Sequence, residues 1–183
     1  MPRIPEPGDA RLRRAAAIAW LGLAVACVVA FGLSLDALVA ALGCAVLVAV
    51  TVTDLERRII PNRIVVPALV VALVVQTARD PGLEWALAAV GAGGLFLVLA
   101  LVYPAGLGMG DVKLAAFMGA WLGAAVFVAL FAGSLLAAIA AVVVLLRHGA
   151  AGRKAGIPFA PFLAAGGVAA VFAGERVLDA WLG

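Results

Sequence analysis

Charge is scarce in this chain. Of its 183 residues, 13% are Asp, Glu, Lys or Arg, about half the share found in an average soluble domain. So few charged side chains cannot hydrate the exterior of a soluble protein of this size. An ordinary soluble enzyme, a disordered chain and a nucleic-acid-binding module are therefore excluded. Cysteine occurs twice and histidine once. Cys27 and Cys44 stand alone inside apolar runs, and His148 sits in a basic loop. With no CxxC pair and no second histidine, the ligand spacing of a structural zinc site is missing. The two cysteines read as small core residues, and the sequence calls for no metal and no cofactor. What the chain has in quantity is apolar residues, 67% of the total. That balance leaves an all-α polytopic membrane protein embedded in the lipid bilayer.

The apolar runs divide into spans. Residues 15–33 form the first and 37–53 the second, separated by Ser34-Leu35-Asp36. The third covers 64–78, and Arg79-Asp80-Pro81-Gly82 is a charged turn with two helix breakers. The fourth covers 83–103, after which the glycine-rich segment 104–110 interrupts the hydrophobicity. Residues 112–146 are apolar apart from Lys113 and Ser134. As one helix they would measure ~52 Å, against a hydrocarbon core of ~30 Å. They must be two spans, with a break near Trp121-Leu122-Gly123. The last span runs from residue 157 to about 181. This gives about seven transmembrane helices, with six to eight the permitted range. They form a single membrane domain, 15–183, behind a basic tail, 1–14.

Eleven of the thirteen lysines and arginines then fall on one side. They are Arg3, Arg11, Arg13, Arg14, Arg57, Arg58, Arg63, Lys113, Arg147, Arg153 and Lys154. Arg79 and Arg176 fall on the other, with Asp36, Asp80, Glu84, Glu175 and Asp179. Cationic loops stay in the cytoplasm, so the amino terminus is cytoplasmic and the chain is a multi-pass protein of the plasma membrane. A cleaved signal peptide is the rival reading of residues 11–26. Ala24-Val25-Ala26 before Cys27 makes a poor lipoprotein box, and a retained first helix is preferred.

Past the amino-terminal tail, the cytoplasmic side holds three carboxylates: Asp54, Glu56 and Asp111. Asp54 closes the second span and Asp111 opens the fifth, so the two lie at one membrane depth. Each also has a structural reading. Asp54 suits a helix stop, and Asp111 suits an N-cap. Two features favour chemistry. A carboxylate at a membrane boundary is costly, and Gly108 and Gly110 before Asp111 allow positive φ and close backbone approach. At ~4 Å and an effective dielectric of ~20, two such charges repel by about 4 kcal/mol, or roughly three pKa units. The pair would hold one proton between them. One member could then deprotonate a water while the other polarises a carbonyl and protonates a leaving amine. Ser34 and Ser134 have no nearby base and offer no competing nucleophile.

Three stretches resemble a family, the type IV prepilin leader peptidases among the GxGD membrane aspartic peptidases. Residues 54–63, Asp-Leu-Glu-Arg-Arg-Ile-Ile-Pro-Asn-Arg, look like its first motif. Residues 108–114, Gly-Met-Gly-Asp-Val-Lys-Leu, look like GxGD followed by Lys-Leu, and 157–163, Ile-Pro-Phe-Ala-Pro-Phe-Leu, like its late Pro-Phe motif. The resemblance implies a catalytic pair of Asp54 and Asp111 facing the cytoplasm. Gly108, Gly110, Lys113, Pro61 and Asn62 would be supporting motif residues, and Glu56, Pro158, Phe159 and Pro161 candidate contacts of the substrate helix. The implied partners are prepilin-like membrane proteins (pilins, pseudopilins or flagellin-like precursors) whose short basic leader is removed before an apolar helix. Larger members carry paired CxxC motifs linked to N-methylation. Residues 1–14 have no cysteine, so peptidase activity alone is expected. Arg57, Arg58, Arg63 and Lys113 crowd the proposed site, where Glu56 and anionic lipid headgroups would offset them. The competing reading is a small transporter or proton- or cation-conducting protein that uses the same two aspartates.

Overall fold

The structure, a computed structural model, describes residues 10–104, 106–148 and 157–182. Arg3, Glu6 and Asp9 of the tail, Arg153 and Lys154 of the last basic loop, and the His148 side chain lie outside the described residues. Seven α-helices follow one another: α1 (Ala10–Phe31), α2 (Leu35–Arg57), α3 (Asn62–Arg79), α4 (Glu84–Val102), α5 (Met109–Leu122), α6 (Val126–His148) and α7 (Ala160–Leu182). Among the described residues there is no strand. Among the described residues, six helical stretches are long and apolar enough to cross a membrane, with Met109–Arg147 counted as one of them. The chain is thus a multi-pass membrane protein. α1 starts at Ala10, so Arg11, Arg13 and Arg14 ride on its first turns.

Local chemistry sets the helix ends. The Ser34 hydroxyl donates to the Phe31 carbonyl at 2.9 Å and accepts the Ala37 N–H at 3.2 Å, ending α1 and capping α2. Arg58 closes α2 in the left-handed region, at φ 54°. Its N–H bonds the Asp54 carbonyl at 2.8 Å. A residue with a Cβ pays ~1–2 kcal/mol for that conformation, and it lets Ile59, Ile60 and Pro61 turn the chain into α3. Gly123, at φ 59°, ends α5. A single 3₁₀ turn, Gly123–Ala125, leads into α6.

Glycine contacts give the helix directions. Gly119 packs on the Ala88 carbonyl and Gly93 on Ala116, so α5 is antiparallel to α4. Gly166 packs on the Ala129 carbonyl and Gly133 on Leu163, so α6 is antiparallel to α7. α5 and α7 both start at the end of the molecule that holds Asp54 and Asp111. α6 is therefore the returning helix, and the chain reverses at the break expected near residues 121–123.

α5 lies at the centre. Val112, Leu114, Ala115, Phe117, Met118 and Trp121 on it are buried, in one cluster with Leu47 and Val50 of α2, Val65 of α3, Phe96 of α4 and Leu163 of α7. In lipid these groups gain mainly from packing, since they leave no water behind. α5 has 14 residues, ~21 Å at 1.5 Å per residue. Its last turn is tied off inside the protein. Gln76 of α3 donates to the Trp121 carbonyl at 2.7 Å, satisfying an acceptor that the helix end leaves open. Arg79 holds the Gln76 amide oxygen at 2.9 Å and pairs with Asp36. A cavity of about 150 Å³ beside this group is lined by Asp36, Gln76, Arg79, Trp121 and Glu175, among others. α1 is peripheral. It packs on α2, and Cys27 is its one buried residue among those described. Cys27 and Cys44 are both fully buried, thiol against thiol, as small core residues.

Candidate active site

Asp54 ends the inner face of α2 and is 7% exposed. Its Oδ2 accepts the backbone N–H of Ala160, the first residue of α7, at 3.1 Å. Asp111 is half-buried in the first turn of α5. Its Oδ2 accepts the Gly108 N–H at 3.0 Å, while the Asp111 N–H donates to the Gly108 carbonyl at 3.0 Å. Asp111 is thus the third residue of the helix, reaching back to its cap, and Gly108 is the N-cap. Each carboxylate meets the amino end of a helix, where unpaired N–H groups and the aligned peptide dipoles favour negative charge. Each carboxylate is thus held through one oxygen by a backbone N–H at the same end of the molecule.

The supporting residues divide. Lys113 donates from Nζ to Oδ1 of Asn62 at 2.8 Å, tying the α5 motif to the start of α3. Pro61 is the N-cap of α3, and its carbonyl accepts the Ile64 and Val65 N–H groups. The two glycines behave differently from the reading of Gly108 and Gly110 as positive-φ positions. Among the described glycines, Gly32 and Gly123 have positive φ, and Gly108 has φ −92°. Gly110 matters through contact, since a Cβ there would lie 2.8 Å from Cβ of Ile60. At Gly108 the nearest atom would be 3.5 Å away. The Ile-Ile-Pro turn therefore packs directly on the bare backbone of Gly110.

The late motif enters through its backbone. Phe159 accepts the Phe162 and Leu163 N–H groups at the start of α7, and its ring lies 6.2 Å from that of Phe96. Pro161, in the first turn, has no N–H to satisfy. The structure gives Pro158 no specific contact. Sequence reasoning missed the Ala160 N–H, which carries no side-chain signal. The available clue was Pro161, which marks a helix start at the depth of Asp54. Glu56 is buried and faces Arg13 of α1, away from the Asp54–Ala160 bond.

Fold and site together define a multi-pass helical membrane protein with two carboxylates held at helix amino ends. A family model described as the type IV leader peptidase family matches residues 41–142, and the chain belongs to that family. It is 32% identical over 158 residues to the prepilin leader peptidase/N-methyltransferase of Bacillus subtilis (strain 168), covering 83% of this chain and 62% of that protein. Proteins of the same name from Burkholderia pseudomallei (strain 1026b) and Legionella pneumophila are 36% and 28% identical, covering 87% and 84% of this chain and 51% and 56% of theirs. The chain thus spans between half and two thirds of the length of these relatives. No solved structure matches it.

Proposed function

We propose that this chain is a membrane aspartic endopeptidase that removes the short basic leader of type IV prepilin-like precursors. The observation that carries this reading is the convergence of Asp54 and Asp111 on the amino ends of α7 and α5. In the proposed cycle the ionised carboxylate takes a proton from water, and the water oxygen attacks the scissile carbonyl. The protonated carboxyl hydrogen-bonds the developing oxyanion. As the tetrahedral intermediate collapses, the C–N bond breaks and a proton passes to the leaving amine, so the pair ends with one proton, as it began. Lys113 and Asn62 hold the two motifs together, and Gly110 lets Ile60 close against them. Glu56, Pro158, Phe159 and Pro161 are the proposed substrate contacts.

In this reading the peptidase domain covers residues 15–183, and the site faces the cytoplasm from the plasma membrane. The described cations Arg11, Arg13, Arg14, Arg57, Arg58, Arg63, Lys113 and Arg147 support that side, and anionic lipid headgroups are their proposed partners. The transport alternative has no observation in its favour. Buried Leu47, Val50, Leu114 and Met118 fill the space between the aspartates and the polar group at Gln76.

The test is co-expression with a prepilin-like precursor. Asp54→Asn and Asp111→Asn should each lower cleavage by ~10²–10⁴-fold, the usual share of acid–base catalysis, scored as precursor and product on a gel. Unchanged cleavage in both variants would remove the pair from the mechanism.

A further inference from the structure

Glu56 is the buried carboxylate that the paired aspartates leave unused. Its side chain is 4% exposed, and its Oε1 has no hydrogen-bond partner. Its ion-pair partner is Arg13, whose Nε stands 3.7 Å from that oxygen, beyond hydrogen-bond reach. The Arg13 side chain is 63% exposed. A carboxylate taken out of water needs its oxygens satisfied. Here the attraction comes from a group free to swing into solvent. A cavity of about 200 Å³ adjoins it, lined by Glu56, Arg13, Thr53, Ile59 and Pro61 together with the exposed Arg57 and Arg63.

A second cavity, about 280 Å³, lies between α1, α2 and α7. Its walls include Leu12, Ala16 and Ala19 of α1, Leu55 of α2, and Ala164 and Ala165 of α7. Leu12 and Leu55 bring this groove to the neighbours of Arg13 and Glu56. Ala164 lies one helical turn from Ala160, whose N–H holds Asp54. Small residues on two walls allow another helix to approach closely, and α1 is the least anchored wall.

We propose that this groove receives the apolar helix of the substrate, and that a cationic side chain preceding that helix takes Glu56 in exchange for Arg13. The inference rests on the leader-peptidase reading and adds to it where the helix enters and which residue reads the leader. Arg13 followed by the apolar run of α1 has the same layout, a cation before an apolar helix, and acts as an internal placeholder. Arg57 and Arg63 wall the same cavity, so the subsite takes a single cation.

The test uses the full chain carrying Asp111→Asn in lipid nanodiscs. The ligand is a synthetic peptide with one Lys before an apolar helix, compared with the same peptide carrying Gln in place of Lys. The Lys peptide should bind at least ~10-fold tighter, an ordinary margin for a buried ion pair. Adding Glu56→Gln should bring the two within ~2-fold, adding Arg13→Ala should tighten the Lys peptide, and Ala16→Leu or Ala165→Leu should weaken both peptides alike. A Lys preference that survives Glu56→Gln overturns the subsite. A Lys peptide bound no better after Arg13→Ala overturns the exchange, and binding unaffected by either groove substitution overturns the groove. Binding is read without cleavage, so failure of the unsubstituted chain to cut a precursor would overturn the peptidase reading separately.

Discussion

At the scale of single residues, scarcity is what made the site legible. With so few carboxylates expected on one side of the membrane, Asp54 and Asp111 stand out from the sequence alone. What holds them was not legible, because the Ala160 and Gly108 N–H groups belong to the backbone, and every residue but proline has one. The glycines show the same limit. The spacing flagged Gly108 and Gly110 alike, while the close approach of Ile60 concerns Gly110 alone. Gly110→Ala should therefore push Ile60 away from α5 at a cost of ~1–3 kcal/mol, lowering cleavage at least several-fold. Gly108→Ala, with φ −92° and an ordinary contact at 3.5 Å to Oδ2 of Asp111, should stay closer to the parent than Gly110→Ala. Initial rates on one precursor separate the two. The proposed shared proton also sets an expected pH behaviour. Cleavage should fall at low pH, when both carboxylates are protonated, and again at high pH, when both are ionised. A flat rate between about pH 4 and 10 would count against a pair that works by sharing a proton.

At the scale of elements, hydropathy located every helix to within a few residues, and length alone required the break that Gly123 makes. Hydropathy could not show what stabilises the short central helix. Gln76 reads in sequence as one tolerated polar residue in a span. In the structure it closes the end of α5 by donating to Trp121. Gln76→Leu would take from that carbonyl its side-chain donor and from Arg79 its amide acceptor, a cost of ~1–3 kcal/mol. It should lower the melting temperature in detergent by several degrees. Asp36→Asn, which loosens an exposed ion pair of small worth, should lower it much less.

At the scale of the whole molecule, the sequence supplied an expected sidedness of the charges but not the meeting of helices distant along the chain. That meeting depends on α5 being enclosed by α3, α4 and α7, which no local pattern records. Sidedness can be read with thiol probes. Cys27 and Cys44 are buried core residues, so a Cys27→Ala/Cys44→Ala background should fold and be silent to impermeant reagents. In it, Arg57→Cys should react from the cytoplasmic face and Glu84→Cys from the opposite face, and the reverse pattern would invert the proposed topology.

The shortness of α5 has an electrical consequence. Between the polar recess at Gln76 and the two aspartates, the apolar layer along α5 is only ~16–21 Å deep, against the ~30 Å of an undisturbed bilayer core. In the proposed topology a membrane voltage falls across that thinned layer, with the aspartates at its edge rather than within it. Protons exchanged with water there, and a leader released to that side, cross almost none of the voltage drop, whose full span is worth ~2.3 kcal/mol per charge at 100 mV. In the proposed reading, leader removal is then electrically silent. The free energy of peptide-bond hydrolysis would drive it alone, and cleavage should run equally well in an energised and a de-energised membrane.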